Sequence, residues 1–138
     1  MTREISAGAV IYRFEAGEPL YLLLHYAGGH WDFVKGHIEP GEQEIETVKR
    51  ETAEETGITD LKLLPNFKDR ARYFFKRGKT TVYKEVIFYA AETNQRNVRI
   101  SHEHIGYIWL NYVDALKQIT FENARTMLKK VHVIISKV

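Results

Sequence analysis

Apolar residues recur along this chain in two rhythms, and the first is that of strands. Residues 3–14, REISAGAVIYRF, alternate loosely and are rich in Ile, Val, Tyr and Phe, which predicts a half-buried strand. Gly8 inside that run points to a bulge or a close backbone approach. Residues 16–19 read as a turn with Gly17 at the flexible position. Residues 20–26, LYLLLHY, form a short apolar run bounded by turn residues, and its length favours a buried strand. A loop over 27–29 follows, and His30-Trp31-Asp32-Phe33-Val34 leads directly into Lys35-Gly36. Farther on, residues 61–67 are a candidate strand. Residues 69–76 and 80–91 flank Arg77-Gly78-Lys79 and predict a β-hairpin. Residues 92–99 are polar and loop-like, and 104–110, HIGYIWL, predict another short strand.

The second rhythm is helical. After a turn at Glu39-Pro40-Gly41, a helix is predicted to begin between 42 and 44 and to end at Thr56, with Gly57 in the left-handed position that closes it. Ile45, Val48, Thr52 and Thr56 share one stripe, the face expected to pack on a sheet. Asn111 is placed to cap a helix through about 119, with Val113, Leu116 and Lys117 at helical spacing. Residues 121–135 predict a last helix with Ala124, Met127, Leu128 and Val131 inward. Tyr12, Phe14, Tyr21 and Trp109 are assigned to the core. Strands, helix, strands, then helices make an α/β or α+β sandwich.

Composition narrows the function classes. The 138 residues fit a single domain, 1–138, large enough to bury a core without staples. There are no cysteines, which excludes disulfides and thiolate-held zinc or iron–sulfur sites. A net charge of +2 gives no case for a stable nucleic-acid partner. The N-terminus shows no apolar leader and no run reaches membrane-spanning length, so a cytoplasmic address is expected, as a monomer or a homodimer.

The chemistry concentrates in residues 36–58, GHIEPGEQEIETVKRETAEETGI. Glu51, Glu54 and Glu55 fall at i, i+3 and i+4, neighbours on one helix face at roughly 5–6 Å between Cβ atoms. Like charges at that spacing repel unless a cation sits among them. Hard divalent cations such as Mg²⁺ are held by carboxylate oxygens together with substrate phosphates, so the pattern points to a metal site that handles phosphate. The plain alternative is a solvated acidic face. Arg50 projects elsewhere, and a bidentate pair with Glu42 is its expected partner.

The spacing also matches a known signature. Gly36 is followed by five residues and Glu42, then seven and Arg50-Glu51, then Glu54-Glu55 and Gly57-Ile58. This resembles the Nudix box of the Nudix hydrolases, with Thr52 standing in a usually aliphatic slot. The resemblance implies a mixed β-sheet sandwiched between α-helices, hydrolysis of phosphoanhydride bonds, and Mg²⁺ or Mn²⁺ held by Glu51, Glu54, Glu55 and the Gly36 carbonyl.

Residues outside the box resemble one branch, the asymmetrical diadenosine tetraphosphate hydrolases. The motif is entered through Val34-Lys35-Gly36-His37 rather than Pro-Gly-Gly, although Val34 stands where that branch usually has Pro. The resemblance implies that Lys35, Tyr73 and Lys84 contact the polyphosphate. Lys84 in an apolar strand alternatively marks a sheet edge. His30 is either a phosphate donor or a satisfied surface residue. Phe88 and Phe121 match positions that present rings to adenine, with core packing as the alternative. Ser101-His102-Glu103-His104 followed by Trp109-Leu110 is similar to the segment that brings a further glutamate to the metals, so Glu103 or Glu55 is the general base. The expected substrate is a small nucleoside polyphosphate, diadenosine tetraphosphate above all, split to ATP and AMP. Alternatives are a (d)NTP or RNA 5′-end pyrophosphohydrolase, a diphosphoinositol polyphosphate hydrolase, and a non-catalytic nucleotide-binding module.

Overall fold

A computed structural model describes residues 1–136. Its elements, in chain order, are β1 (Thr2–Glu15), β2 (Glu18–Tyr26), β3 (Trp31–Asp32), β4 (Val34–His37), α1 (Glu44–Thr56), β5 (Lys62–Leu63), β6 (Asp69–Arg77), β7 (Thr80–Glu92), β8 (His104–Leu110), α2 (Tyr112–Gln118) and α3 (Glu122–Ile135). The strands join into one mixed sheet in which β1 and β7 run parallel, paired from Thr2–Val82 to Tyr12–Glu92. On its other side β1 pairs first with β4 and then with β2, both antiparallel. β7 likewise takes β6 along its first part and β5 at its end. β2 carries β3 and β8.

The alternation of β1 divides the core into two layers. Val10 and Tyr12 face α2 and α3, where Ala115, Ala124, Met127, Leu128 and Val131 close one layer. Ala7, Ala9 and Ile11 face α1, where Val48 and Ile58 close the other. The small side chains of Ala7 and Ala9 let α1 lie close to the sheet. The α1 interface is otherwise built from threonines: Thr47, Thr52 and Thr56 have no exposed surface.

Helix bounds follow their local signals. Gly57 has φ of 77° and its N–H donates to the Ala53 carbonyl, closing α1 at Thr56. Asn111 accepts the Asp114 N–H through its side chain at 2.9 Å and caps α2. The Gly8 expectation also holds. β4 runs beside it, and a Cβ there would meet the Val34 carbonyl.

Several expectations are corrected. Residues 61–67 are not one strand: only Lys62–Leu63 pair with β7. Pro65 cannot donate to a ladder, and Asn66 turns the chain with φ of 64°. Ile45 is 37% exposed: α1 packs against β4 as well as β1, and Glu55 takes the buried position instead. Phe14 is 43% exposed, on the wall of an open cavity that the end of α3 also lines. It meets Tyr12 edge-on at 5.8 Å. Trp109 packs against the α1-side core as expected but is only half-buried, with Arg13 over its ring and its indole N–H donated to the Arg96 carbonyl. Val113 is exposed, and Ala115 is the residue α2 buries. Lys84 lies on a strand flanked by β1 and β6, so it does not mark an edge.

Candidate functional site

The site begins with a clamp. Arg50 donates through Nε to Glu42 Oε2 at 2.7 Å and through Nη2 to Glu42 Oε1 at 3.1 Å, the expected bidentate pair. Its Nη2 also donates to the His37 carbonyl at 3.1 Å. Thr47 Oγ1 and the Glu39 N–H donate to the same Glu42 carboxylate. These bonds hold the Glu42 carboxyl down at a pKa of about 2, with Arg50 the chief cause. The loop between β4 and α1 is thereby fixed to the helix that carries the other glutamates.

Gly36 then sets the depth of the site. It stands opposite Ala7 on β4, and a Cβ added to it would fall inside the Glu51 carboxylate. Only glycine lets β4 and Glu51 come this close. Glu51 accepts from Arg50 Nη1 at 2.8 Å. Burial pushes its carboxyl up nonetheless, against the pull of Arg50. Glu54 is the outward member, 60% exposed along its side chain.

Glu55 is the strained member. It is 4% exposed, and its Oε2 is buried with no hydrogen-bond partner among the described residues. Burial first, then the negative charges of Glu51, Glu103 and Glu54, push its pKa from 4.5 to about 8. Its Oε1 lies 3.9 Å from His104 Nε2, which is also buried without a hydrogen-bond partner. Glu103 reaches the same cavity from the turn before β8, where its N–H donates to Ser101 Oγ.

The cavity measures about 650 Å³, and Gly36, Glu51, Glu54, Glu55 and Glu103 all line it, with Lys35 and Lys84 on the same walls. Among the described residues, no three histidine or acidic side chains are yet drawn together as tightly as an ion's coordination shell. Two features nevertheless fit a hard cation. The buried Glu55 Oε2 has no hydrogen-bond partner among the described residues, and the glutamates and the Gly36 carbonyl offer only oxygen donors.

A second cavity of about 480 Å³ lies beside the first, and Lys35 lines both. Its walls are aromatic: Tyr73, Phe75, Phe88 and Phe121. Phe88 is 3% exposed and belongs to the core as well as to this wall; Phe121 is 50% exposed at the start of α3. Phe88 is therefore a core residue that also lines this cavity. Tyr73 and Lys84 are cross-strand partners, and they face different cavities: Tyr73 the aromatic one, Lys84 the acidic one. Lys84 Nζ donates to Ser6 Oγ at 2.8 Å. His30 lines neither cavity. It stacks on Tyr26 at 4.6 Å and lies 5.4 Å from Phe121, and burial lowers its pKa.

Three participants escape a reading of the sequence. Asp32 is buried and accepts from Lys35 Nζ at 2.9 Å. Tyr26 lines the acidic cavity and donates to the Phe33 carbonyl at 2.5 Å. Ser6 lies at the end of Lys84. For Asp32 a signal existed, an acid inside the apolar run Trp31-Asp32-Phe33-Val34. Tyr26 and Ser6 carried none.

Comparison with known proteins agrees with this geometry. Residues 2–131 match the model of the NUDIX domain family. A Mus musculus protein named bis(5′-nucleosyl)-tetraphosphatase [asymmetrical] is 36% identical over 118 residues, covering 81% of this chain and 78% of its own. A Caenorhabditis elegans protein of the same name is 36% identical over 129 residues, 91% of each chain. Among solved structures, a C. elegans Ap4A hydrolase binary complex superposes with a TM-score of 0.85 at 31% identity, covering 98% of this chain and 99% of that one. The chain belongs to the Nudix family, in the group of the asymmetrical bis(5′-nucleosyl)-tetraphosphatases.

Proposed function

We propose that this protein hydrolyses dinucleoside polyphosphates, splitting diadenosine tetraphosphate asymmetrically to ATP and AMP with Mg²⁺ or Mn²⁺. The observation that carries the reading is the pair of adjoining cavities, one acidic and one aromatic, that meet at Lys35. An aromatic base in one cavity and a phosphate chain in the other fit a nucleoside polyphosphate. The names of the curated relatives support the same substrate.

Glu51, Glu54, Glu55 and the Gly36 carbonyl would hold the cation, with Glu103 completing the set from the other wall. When bound, a divalent ion neutralises phosphate charge and eases ionisation of the attacking water. The chain's own residues do the rest. Lys35 and Lys84 bring positive charge to the phosphate tract, and Tyr73 offers its hydroxyl beside it. Phe121 and the edge of Phe88 give the base a face to stack on, worth about 1–3 kcal/mol. Water oxygen bonds to one phosphorus in line, the bridging P–O bond breaks, and the water proton passes to Glu55 or Glu103. Positioning and charge neutralisation carry most of the work in such transfers.

A substrate panel tests the reading. Diadenosine tetraphosphate, ATP, oxidised dGTP, a 5′-triphosphorylated RNA and a diphosphoinositol polyphosphate are each assayed with Mg²⁺ and with Mn²⁺. Diadenosine tetraphosphate is expected to give the highest kcat/KM, with ATP and AMP as products. Oxidised dGTP or the RNA in first place would move the protein to another branch.

A further inference from the structure

Lys35 holds an exposed-to-buried boundary between two walls of opposite character, and its position has a cause. On one side lie Glu51, Glu54, Glu55 and Glu103, and the strongest attraction on a free ammonium in that cavity is toward them. A lysine has four flexible methylenes and no fixed donor geometry. Left to itself, it would swing into the acidic cluster and sit where a divalent cation belongs. It does not do so here. Its Nζ donates to Asp32 Oδ2 at 2.9 Å, and Asp32 lines the aromatic cavity and not the acidic one.

Asp32 is built to hold that position. It is 3% exposed. Its Oδ1 accepts the Phe33 N–H at 2.7 Å, which fixes the carboxylate plane. Its backbone is held by the pairing of Leu24 with Asp32 on β2. A buried carboxylate in such a setting keeps its cation, because losing it leaves an uncompensated charge.

We propose that Asp32 is a positioning residue: it holds Lys35 at the junction of the two cavities, away from Glu55, so that the carboxylates stay free for a divalent ion and the ammonium stays free for phosphate. This rests on the metal and phosphate assignments made above. Asp32→Asn keeps the shape of the side chain and removes the charge that competes for Lys35. Lys35 then turns to the glutamates and competes with the ion.

The test is a cycle of Asp32→Asn, Lys35→Met and the double variant, read by calorimetric titration with Mn²⁺ and no nucleotide, and by kcat/KM on diadenosine tetraphosphate. Asp32→Asn is expected to weaken Mn²⁺ binding at least fivefold. Lys35→Met is expected to bind Mn²⁺ as well as wild type or better, and the double variant to match Lys35→Met within twofold. A structural role for Asp32 would give the same loss in both backgrounds. Lys35→Met leaves Asp32 buried without its partner; if that variant does not fold, the double variant, which lacks both charges, gives the same comparison against Asp32→Asn. Unchanged Mn²⁺ binding in Asp32→Asn, with wild type binding normally, overturns this inference alone. A wild type that binds no Mn²⁺ overturns the metal assignment and this inference with it. Lys35→Met at wild-type kcat/KM overturns the phosphate role of Lys35 and so the second half of the proposal.

Discussion

Glu55→Gln is expected to make the metal-free protein more stable while abolishing its turnover. The native carboxyl has its pKa raised from 4.5 to about 8, whereas the unfolded chain keeps the ordinary value. Between those two pH values the folded protein holds a proton that the unfolded chain releases. Stability therefore falls as pH rises through this window and levels off above it. Each pH unit inside the window is worth about 1.4 kcal/mol, so the cost at pH 7 is about 3 kcal/mol, and at pH 5 it is under about 1 kcal/mol. Glutamine has the same shape and is neutral in both states, so it removes the pH-dependent cost and leaves the same unpartnered polar atom. For a chain of 138 residues, an unfolding entropy of about 2.1 cal/mol/K per residue converts 3 kcal/mol into about 10 °C of Tm. The assay is thermal melting of both proteins in EDTA at pH 5, 6, 7 and 8, repeated with Mg²⁺. The variant should melt higher by a margin that widens with pH, and Mg²⁺ should raise the wild type more than the variant. A variant that melts at or below the wild type in EDTA at pH 7, or a margin that does not grow with pH, refutes the account of Glu55.

Three further expectations follow from named contacts. Gly36→Ala drives a methyl into the Glu51 carboxylate, so kcat should fall at least a hundredfold with Tm lowered by only a few degrees; near-normal kcat would mean that Glu51 has room to move. Phe121→Ala, at a half-exposed ring, should raise KM for diadenosine tetraphosphate about tenfold with little change in stability, whereas Phe88→Ala should cost about 3–5 kcal/mol of stability because that ring is also core; denaturant midpoints and KM values separate the two. Arg50→Lys keeps the charge and loses the two-point bond to Glu42, so it should lower both Tm and kcat almost as much as Arg50→Ala, and full rescue by lysine would show that charge alone is enough.

What the sequence made legible is what local rules determine. The 3.6-residue period and Gly57 gave both ends of α1 to within two residues. The Arg50–Glu42 pair was legible, but the expectation that Arg50 projects away from the acidic face is corrected: its Nη1 also donates to Glu51 and Glu54. β3 and β4 were not legible, since strands of two and four residues have too few positions to show a period, and their partners lie far away on β2 and β1. Lys84 was ambiguous for the same reason. Whether β7 is an edge depends on its parallel pairing with β1, some eighty residues away in sequence, and no local pattern encodes a parallel crossover.

The glutamates show the limit most clearly. Helical spacing puts Glu51, Glu54 and Glu55 on one face and treats them as equals. The fold makes them unequal. Glu54 is held outward near Arg50, Glu51 is pinned between Arg50 and Gly36, and Glu55 alone is buried with an unpartnered oxygen. Gly8 and Gly36 let β4 cross close to β1 and leave Glu51 its room. The surroundings of Glu55 come from the other side of the site, from Tyr26 on β2 and from His104 at the start of β8. The same crossing sets Lys35 beside Asp32 rather than among the acids. The acidic motif supplies the charges, but strands distant from it in sequence give Glu51 and Glu55 their different surroundings.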